Sequence, residues 1–164
     1  MSQYKISVIV STHNTGNYLN EFLNSIKSQS IGFENIEVIF VDDKSTDNYT
    51  LDLLKDFNES YENVKVKFSD VNSGFPGKGR NTGLKLADSD YVIFADHDDT
   101  YTRNAFEVMY DKIAENDDMF FMVEPLVNSR MLSYQYGDYM LNFFFDSNDK
   151  LFYTTIYNLH VWTE

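Results

Sequence analysis

The chain has no cysteine among its 164 residues. That excludes a disulfide framework and a thiol nucleophile. Basic residues are also scarce: 13 Lys and Arg stand against 26 Asp and Glu, giving a net charge of −13. Such a balance argues against nonspecific binding to nucleic acid or to an anionic membrane surface. It fits a protein that meets anionic ligands through a metal. Long apolar runs are missing too, and none approaches the roughly 18 residues that span a bilayer. The N-terminus, MSQYKISVIV, has no charged region leading into a long apolar stretch. Neither a signal peptide nor a transmembrane helix is therefore expected. The expected location is the cytoplasm. Any association with the inner face of the plasma membrane would be peripheral, through a partner or a region outside this chain. No internal repeat or low-complexity linker breaks the sequence.

What is present is most simply one domain, long enough for a sizeable core. Aromatic residues are abundant, with 14 Phe and 12 Tyr. Short β-branched runs at Lys5–Val10, Glu37–Val41, Val64–Phe68, Tyr91–Ala95 and Met119–Val123 read as strands. Between them, apolar residues at positions 18, 19, 22, 23 and 26 fall at helical spacing. Thr46 or Asp47 is placed to cap a second helix carrying Leu51, Leu53, Leu54 and Phe57. Gly79–Ala87 and Ala105–Ala114 read as two more helices. Strands alternating with helices predict an α/β fold, a mostly parallel sheet with helices on both faces. After Pro125 the pattern loosens. Residues 126–164 are aromatic and turn-rich, as at Phe143-Phe144-Phe145.

Open α/β sheets bind ligands beyond the carboxyl ends of their strands, so the residues that follow each strand matter most. Ser11-Thr12-His13-Asn14 follows the first. Asp42-Asp43-Lys44-Ser45-Thr46-Asp47 follows the second. Asn72-Ser73-Gly74-Phe75-Pro76-Gly77-Lys78-Gly79-Arg80-Asn81 follows the third, and Asp96-His97-Asp98-Asp99 the fourth. In a D-x-D triplet leaving a strand, the first and third carboxylates can converge on Mg²⁺ or Mn²⁺. The plainer reading is a solvated acidic turn. His97 is either a ligand or an ordinary loop residue. Asp42 and Asp43 are acceptors only; one of them can meet the N3–H of uracil, and either can instead cap a turn. The glycines at 74, 77, 79 and 83 let the backbone approach a ligand, and Lys78 and Arg80 can meet phosphate. The segment lacks the G-x-x-x-x-G-K-[ST] pattern of a P-loop.

Taken together, these segments resemble family 2 of the inverting GT-A glycosyltransferases over roughly residues 5–110. "VIVSTHNTGNYLNEFLNSIKSQS" is similar to the family's opening strand, P-x-Y-N and helix ending near Q-[ST]. "VIFVDDKSTDNY" is similar to V-D-D-G-S-x-D, "NSGFPGKGRNTGL" to N-x-G…A-R-N-x-G-L, and "YVIFADHDDT" to a strand with D-x-D-D. The third segment most resembles the teichoic-acid sugar transferases of Gram-positive bacteria. The resemblance implies a GT-A, Rossmann-like fold and a UDP-sugar donor. It implies a glycan, polymer or lipid-linked acceptor, inversion at the anomeric carbon, and Mn²⁺ or Mg²⁺ as cofactor. By position, Thr12 and His13 line the base pocket, Asp43 accepts from uracil N3, and Ser11, Asn72 and Arg80 belong to the nucleotide-binding set. Asp96 lies near ribose and metal, Asp98 is the main metal ligand, and Asp99 supports it. Ser11 stands where the family has Pro, Lys44 where it has Gly, and His13 where it has an aromatic residue.

The family's catalytic base lies in a later acidic segment. "NLHVWTE" resembles the stretch just before it, and Glu124, Asp138 and Asp146 lack the right context. The base is therefore expected beyond Glu164. Residues 1–125 would form a donor-binding core, and 126–164 the start of the acceptor side, within a single domain truncated before the rest of that side. Two other readings compete. A chain without its base can bind nucleotide without turnover. Asp96-His97-Asp98-Asp99-Thr100 also fits the D-x-D-x-T motif of haloacid-dehalogenase-type phosphatases, although that motif belongs on a first strand and here three strands precede it.

Overall fold

A computed structural model describes the backbone of residues 3–114, 130–136, 139–145 and 151–158, and the side chains of residues 3–111 and 114. The chain divides into two compact units, Met1–Glu107 and Val108–Glu164. The first contains β1 (Ile6–Thr12), α1 (Tyr18–Lys27), β2 (Ile36–Asp42), α2 (Asn48–Ser60), β3 (Val64–Phe68), α3 (Pro76–Leu84) and β4 (Val92–Asp96). A further helix, α4 (Ala105–Ala114), follows. The strands are all parallel, in the order β3-β2-β1-β4.

β1 and β2 sit in the middle of this sheet, and their sequences, ISVIVST and IEVIFVD, explain why. A strand covered on both faces buries every side chain, so it reads as a nearly unbroken apolar run rather than an alternating one. On one face Phe40 of β2 meets Phe22 of α1 and Phe57 of α2, with ring centroids 6.0 and 6.1 Å away. On the other, Ile9, Ile39 and Val41 pack with Val92, Phe94 and Ala87. The helix α3 lies on this second face. Gly79 and Gly83 rest against Ser11 and Ile9, and a Cβ added there would stand 2.4 Å from Ser11 Oγ and 2.3 Å from Ile9 Cγ2. Helices therefore cover both faces, as the alternating pattern predicts.

The turns follow from local chemistry. Asp47 caps α2, its side chain accepting the Thr50 N–H at 2.7 Å. Thr46, the other candidate cap, instead donates its N–H to Asn14 Oδ1. Gln29, just past α1, is buried. It donates to the Thr102 carbonyl at 2.8 Å and accepts the Phe106 N–H at 3.0 Å, tying the end of α1 to the start of α4. The Gln-Ser pair closing the family's opening motif thus has a structural task here.

A second polar cluster sits at the amino end of the strands. Glu37 is fully buried. It accepts the Ser7 hydroxyl and the Asp88 N–H, and pairs with Lys65 Nζ at 2.5 Å. Lys65 also reaches Asp88 at 2.7 Å.

The second unit contains an antiparallel sheet of β5 (Arg130–Tyr136), β6 (Tyr139–Phe145) and β7 (Leu151–Asn158), in that order. The strand expected at Met119–Val123 and the boundary expected after residue 125 lie outside the described residues.

Candidate nucleotide-sugar site

Because the four strands of the first unit are parallel, their carboxyl ends share one edge, and the four polar loops leave from it. β1 stands between β2 and β4, so the loop carrying Ser11–Asn14 lies between the acids after β2 and those after β4. The Ser11–Asp96 register pairing shows this directly.

The two acids after β2 have different tasks. Asp42 is buried and accepts the Thr12 hydroxyl at 3.1 Å, the Ser45 hydroxyl at 2.5 Å and the Ser45 N–H at 2.8 Å. It organises its own turn. Thr12 is likewise buried, its hydroxyl committed to Asp42. Lys44 follows with φ of 59°, a left-handed conformation that favours glycine.

Asp43 reaches across to the loop after β3. Its Oδ2 accepts the Ser73 hydroxyl at 2.9 Å and the Gly74 N–H at 3.1 Å, and the Ser73 N–H lies 2.9 Å from both oxygens. These bonds fill Oδ2, while Oδ1 takes only a share of one N–H and keeps lone-pair capacity. Burial pushes the carboxyl upward, but the Ser73 and Gly74 hydrogen bonds and the nearby His13 outweigh it, so Asp43 titrates below the ordinary range. The result is a fixed, ionised acceptor at a strand end.

The ring of His13, an exposed residue, joins this group. Its Nδ1 lies 2.9 Å from the Asp43 carbonyl, Nε2 lies 3.2 Å from Asn14 Nδ2, and Asn72 Nδ2 lies 3.4 Å from Nδ1 and 3.3 Å from Nε2. Asn14 also joins the first two loops, its N–H donating to Ser45 Oγ and its Oδ1 accepting from Thr46 and Asp47. Thr12, His13, Asp43 and Asn72 thus belong to one bonded cluster.

Beyond β4 the arrangement changes. Arg80 Nη2 donates to Asp96 Oδ1 at 2.8 Å, with its guanidinium carbon 5.7 Å from the Phe94 ring centroid. His97 Nδ1 lies 3.2 Å from the Ser11 carbonyl, the geometry of a proton donor on that nitrogen. The Asp99 N–H closes a turn onto the Asp96 carbonyl, and Asp98 is exposed. Among the described residues, no group of three or more His, Cys, Asp or Glu side chains forms a metal cage. Mg²⁺ and Mn²⁺ with a nucleotide diphosphate do not need one, because phosphates and waters supply most ligands beside one or two carboxylates. The exposed Asp98 at a strand end fits that requirement.

The glycines of this loop divide between two tasks. Gly79 and Gly83 serve close packing of α3 on β1, not a ligand, whereas Gly74 adopts φ of 72° where the loop turns over Asp43. Arg80 is bound to Asp96, and Lys78 is exposed. Sequence reasoning gives no role to Ser73, Asn14 or Ser45, and none to Gly74 as a donor to Asp43. The signal was present as hydroxyls and free N–H groups one loop away from two adjacent acids. Glu124, Asp138 and Asp146 lie outside the described residues.

The comparisons with known proteins agree with this geometry. The family model for glycosyl transferase family 2 matches residues 7–161. A poly(ribitol-phosphate) beta-glucosyltransferase of Bacillus spizizenii is 40% identical over 112 residues, which is 68% of this chain and 18% of that protein. The poly(ribitol-phosphate) beta-N-acetylglucosaminyltransferase TarS of Staphylococcus aureus is 44% identical over 95 residues, 58% of this chain and 16% of that protein. The crystal structure of TarS residues 1–349 in complex with UDP-GlcNAc superimposes with a TM-score of 0.62 at 38% identity, covering 68% of this chain and 32% of that one. The chain thus spans less than a fifth of the length of these two relatives, which fall in the teichoic-acid class that the third loop resembles. On the matched segment and the GT-A fold it forms, the chain belongs to glycosyl transferase family 2.

Proposed function

We propose that this chain is the donor-binding part of an inverting glycosyltransferase that moves a sugar from a UDP-sugar to a hydroxyl of a cell-surface polymer. The observation that carries the reading is Asp43. Its carboxylate is held ionised at the strand edge with acceptor capacity left on Oδ1. Such a group accepts the N3–H of uracil and repels the N3 acceptor of cytosine. The UDP-GlcNAc complex of TarS and the polymer named for both relatives support the donor and acceptor classes.

In this reading His13 and Asn72 border the base, and Asp43 reads it. Asp96, held by Arg80, faces the ribose. Asp98, with Asp96 and Asp99, would hold Mg²⁺ or Mn²⁺, which when bound neutralises charge on the departing diphosphate. Arg80 supplies a fixed positive charge beside the same acids. The acceptor hydroxyl is deprotonated by a base outside the described residues as it attacks the anomeric carbon. The proposed location is the cytoplasm, where any membrane association is peripheral. Among the described residues no helix is long and apolar enough to cross a membrane.

Calorimetric titration with UDP, with and without Mn²⁺ and with CDP as control, tests the proposal. The expected result is UDP binding that requires Mn²⁺ and excludes CDP. Equal binding of CDP would remove Asp43 as the base reader. No binding of either nucleotide would leave the family fold without a donor site in this chain, and a non-catalytic role would follow.

A further inference from the structure

The hydrogen bonds around His13 fix more than its position. Asn14 Oδ1 accepts backbone N–H groups from Thr46 at 2.8 Å and Asp47 at 3.2 Å. Asn72 Oδ1 accepts the Gly74 N–H at 2.7 Å. Backbone N–H groups are donors only, so both amide oxygens are committed and neither amide can turn over without losing bonds. Each amide must therefore present its NH₂ to the His13 ring. Nδ1 lies 2.9 Å from the Asp43 carbonyl, which is an acceptor only, and that contact is shorter than the 3.4 Å to Asn72 Nδ2, so it decides the state of Nδ1. These constraints select one state of the imidazole. Nδ1 carries the proton and donates to the Asp43 carbonyl, and Nε2 is bare and accepts from the Asn14 NH₂.

We propose that Asn14 is a positioning residue of the nucleotide site, which opposite the Asp43 carbonyl locks His13 as the neutral Nδ1–H tautomer, and that the site loosens when His13 takes a second proton. The added proton comes from solvent onto Nε2. It turns the acceptor into a donor facing the Asn14 NH₂, which cannot rotate away without losing Thr46 and Asp47. The loops after β1, β2 and β3 meet at this ring, so one protonation disturbs all three. The charged groups those loops carry are Asp42, Asp43, Lys44, Asp47 and Asp70. Asp42 is tied to Thr12 and Ser45, and Asp47 to Thr50. The Asp43 carboxylate attracts an imidazolium, but it is engaged with Ser73 and Gly74 and cannot replace the lost acceptor at Nε2.

The inference rests on the nucleotide reading above, and its first readout is independent of it. Nitrogen-15 NMR of the free 164-residue chain reads the tautomer directly. The expected spectrum at neutral pH shows protonated Nδ1 and bare Nε2 on His13. The Nε2–H tautomer, or an imidazolium at neutral pH, would overturn the lock. UDP titrations from about pH 8 to about pH 5 then read the consequence, across the range in which histidine side chains change charge. UDP phosphate also titrates in this range, so wild type is compared with His13→Phe. Wild-type affinity is expected to fall roughly tenfold more than that of the variant, the worth of about one lost hydrogen bond. Identical pH profiles would overturn the proposal. Asn14→Asp keeps the acceptor for Thr46 and Asp47 but puts a carboxylate at Nε2, which favours imidazolium. Its imidazole titration, and the loss of UDP affinity, should move together to higher pH. Should that variant fail to fold, the His13→Phe comparison decides alone. UDP binding absent at every pH would overturn both the nucleotide reading and the part Asn14 plays in it. The tautomer, read without ligand, separates that outcome from a failure of the lock itself.

Discussion

The two ends of the parallel sheet both gather acids, and they satisfy them in opposite ways. At the amino end, Glu37 is fully buried and its charge is met by Lys65, with Ser7 and the Asp88 N–H as further donors. A cation within the chain already neutralises it. At the carboxyl end Arg80 pairs with Asp96, but Asp43 is met by backbone N–H groups and a hydroxyl, and Asp98 stands exposed. Neutral donors stabilise a carboxylate without cancelling its charge. The amino end is a closed circuit that holds strands together. The carboxyl end keeps negative charge and acceptor capacity available to a ligand. What surrounds an acid, not its presence, distinguishes a structural end from a functional one.

Breaking each end should therefore give different phenotypes. Asp98→Ala has the largest expected effect: Mn²⁺-dependent UDP binding falls to the level seen without metal. Stability should stay within about 0.5 kcal/mol, as for other exposed sites. Equal UDP affinity in mutant and wild type, by calorimetry, would remove Asp98 as the metal ligand. Lys65→Met should do the reverse, leaving Glu37 buried without its cation and costing about 3 kcal/mol in denaturant unfolding. That is the low end for a broken buried pair, because Lys65 itself reaches solvent. UDP affinity should not change. Burial pulls Lys65 down, but its bonds to Asp88 and Glu37 raise it further, so it titrates above the ordinary lysine value. Its contribution is therefore complete below about pH 10 and is lost only as alkaline pH passes the raised value.

Asp43→Asn sharpens the contrast at intermediate scale. Asparagine keeps one acceptor oxygen for Ser73 but turns an NH₂ toward other donors. UDP affinity should drop about 10- to 100-fold, the loss of a charged hydrogen bond. The wild-type carboxyl titrates below its unfolded value, so its stabilisation is present above about pH 4 and lost as pH falls through the lowered value. An acid-unfolding curve unchanged by the substitution would contradict that assignment. A smaller effect is expected at Gly83→Ala. The new methyl meets Ile9, which is fully buried and has nowhere to move. Overpacking, less the gain in helix propensity, should cost about 1–2 kcal/mol in thermal or chemical denaturation.

Much of this was legible in the sequence, for physical reasons that vary by segment. β1 and β2 are placed within a residue or two because buried parallel strands write unbroken β-branched runs, and β3, the half-exposed edge strand VKVKF, by its alternation. The match at α1 and α4 comes from amphipathic spacing. The start of α3 was misplaced by three residues. With Gly77, Gly79 and Gly83 in nine residues, α3 has little intrinsic helix preference, and its packing on β1 holds it. Pro76 at its first turn was the better marker. β5 to β7 were not recognised as strands, although YMLNFFF and LFYTTIYN are rich in aromatic and β-branched residues. In the site, the strand-end acids could be found from order and spacing. Their division of labour could not, because Asp42 and Asp43 are neighbours in sequence. Only the fold shows that one faces Thr12 and Ser45 while the other faces Ser73.

The least effect is expected at Lys44, the position where the chain departs from the family's glycine. Its φ of 59° costs an L-residue about 1 kcal/mol relative to glycine, because Cβ crowds the following carbonyl. The exposed side chain makes no demand for that conformation, which is imposed by Asp42 gripping Ser45 on one side and Asp43 gripping Ser73 on the other. Lys44→Gly relieves the crowding but gives the unfolded chain more freedom. The expected net gain is therefore under about 1 kcal/mol, read as a small rise in denaturation midpoint with unchanged slope. UDP affinity should stay the same if the lysine only spans the turn. A weaker UDP affinity in a more stable protein would instead assign the Lys44 ammonium to the diphosphate, moving a positive charge from the scaffold into the functional end of the sheet.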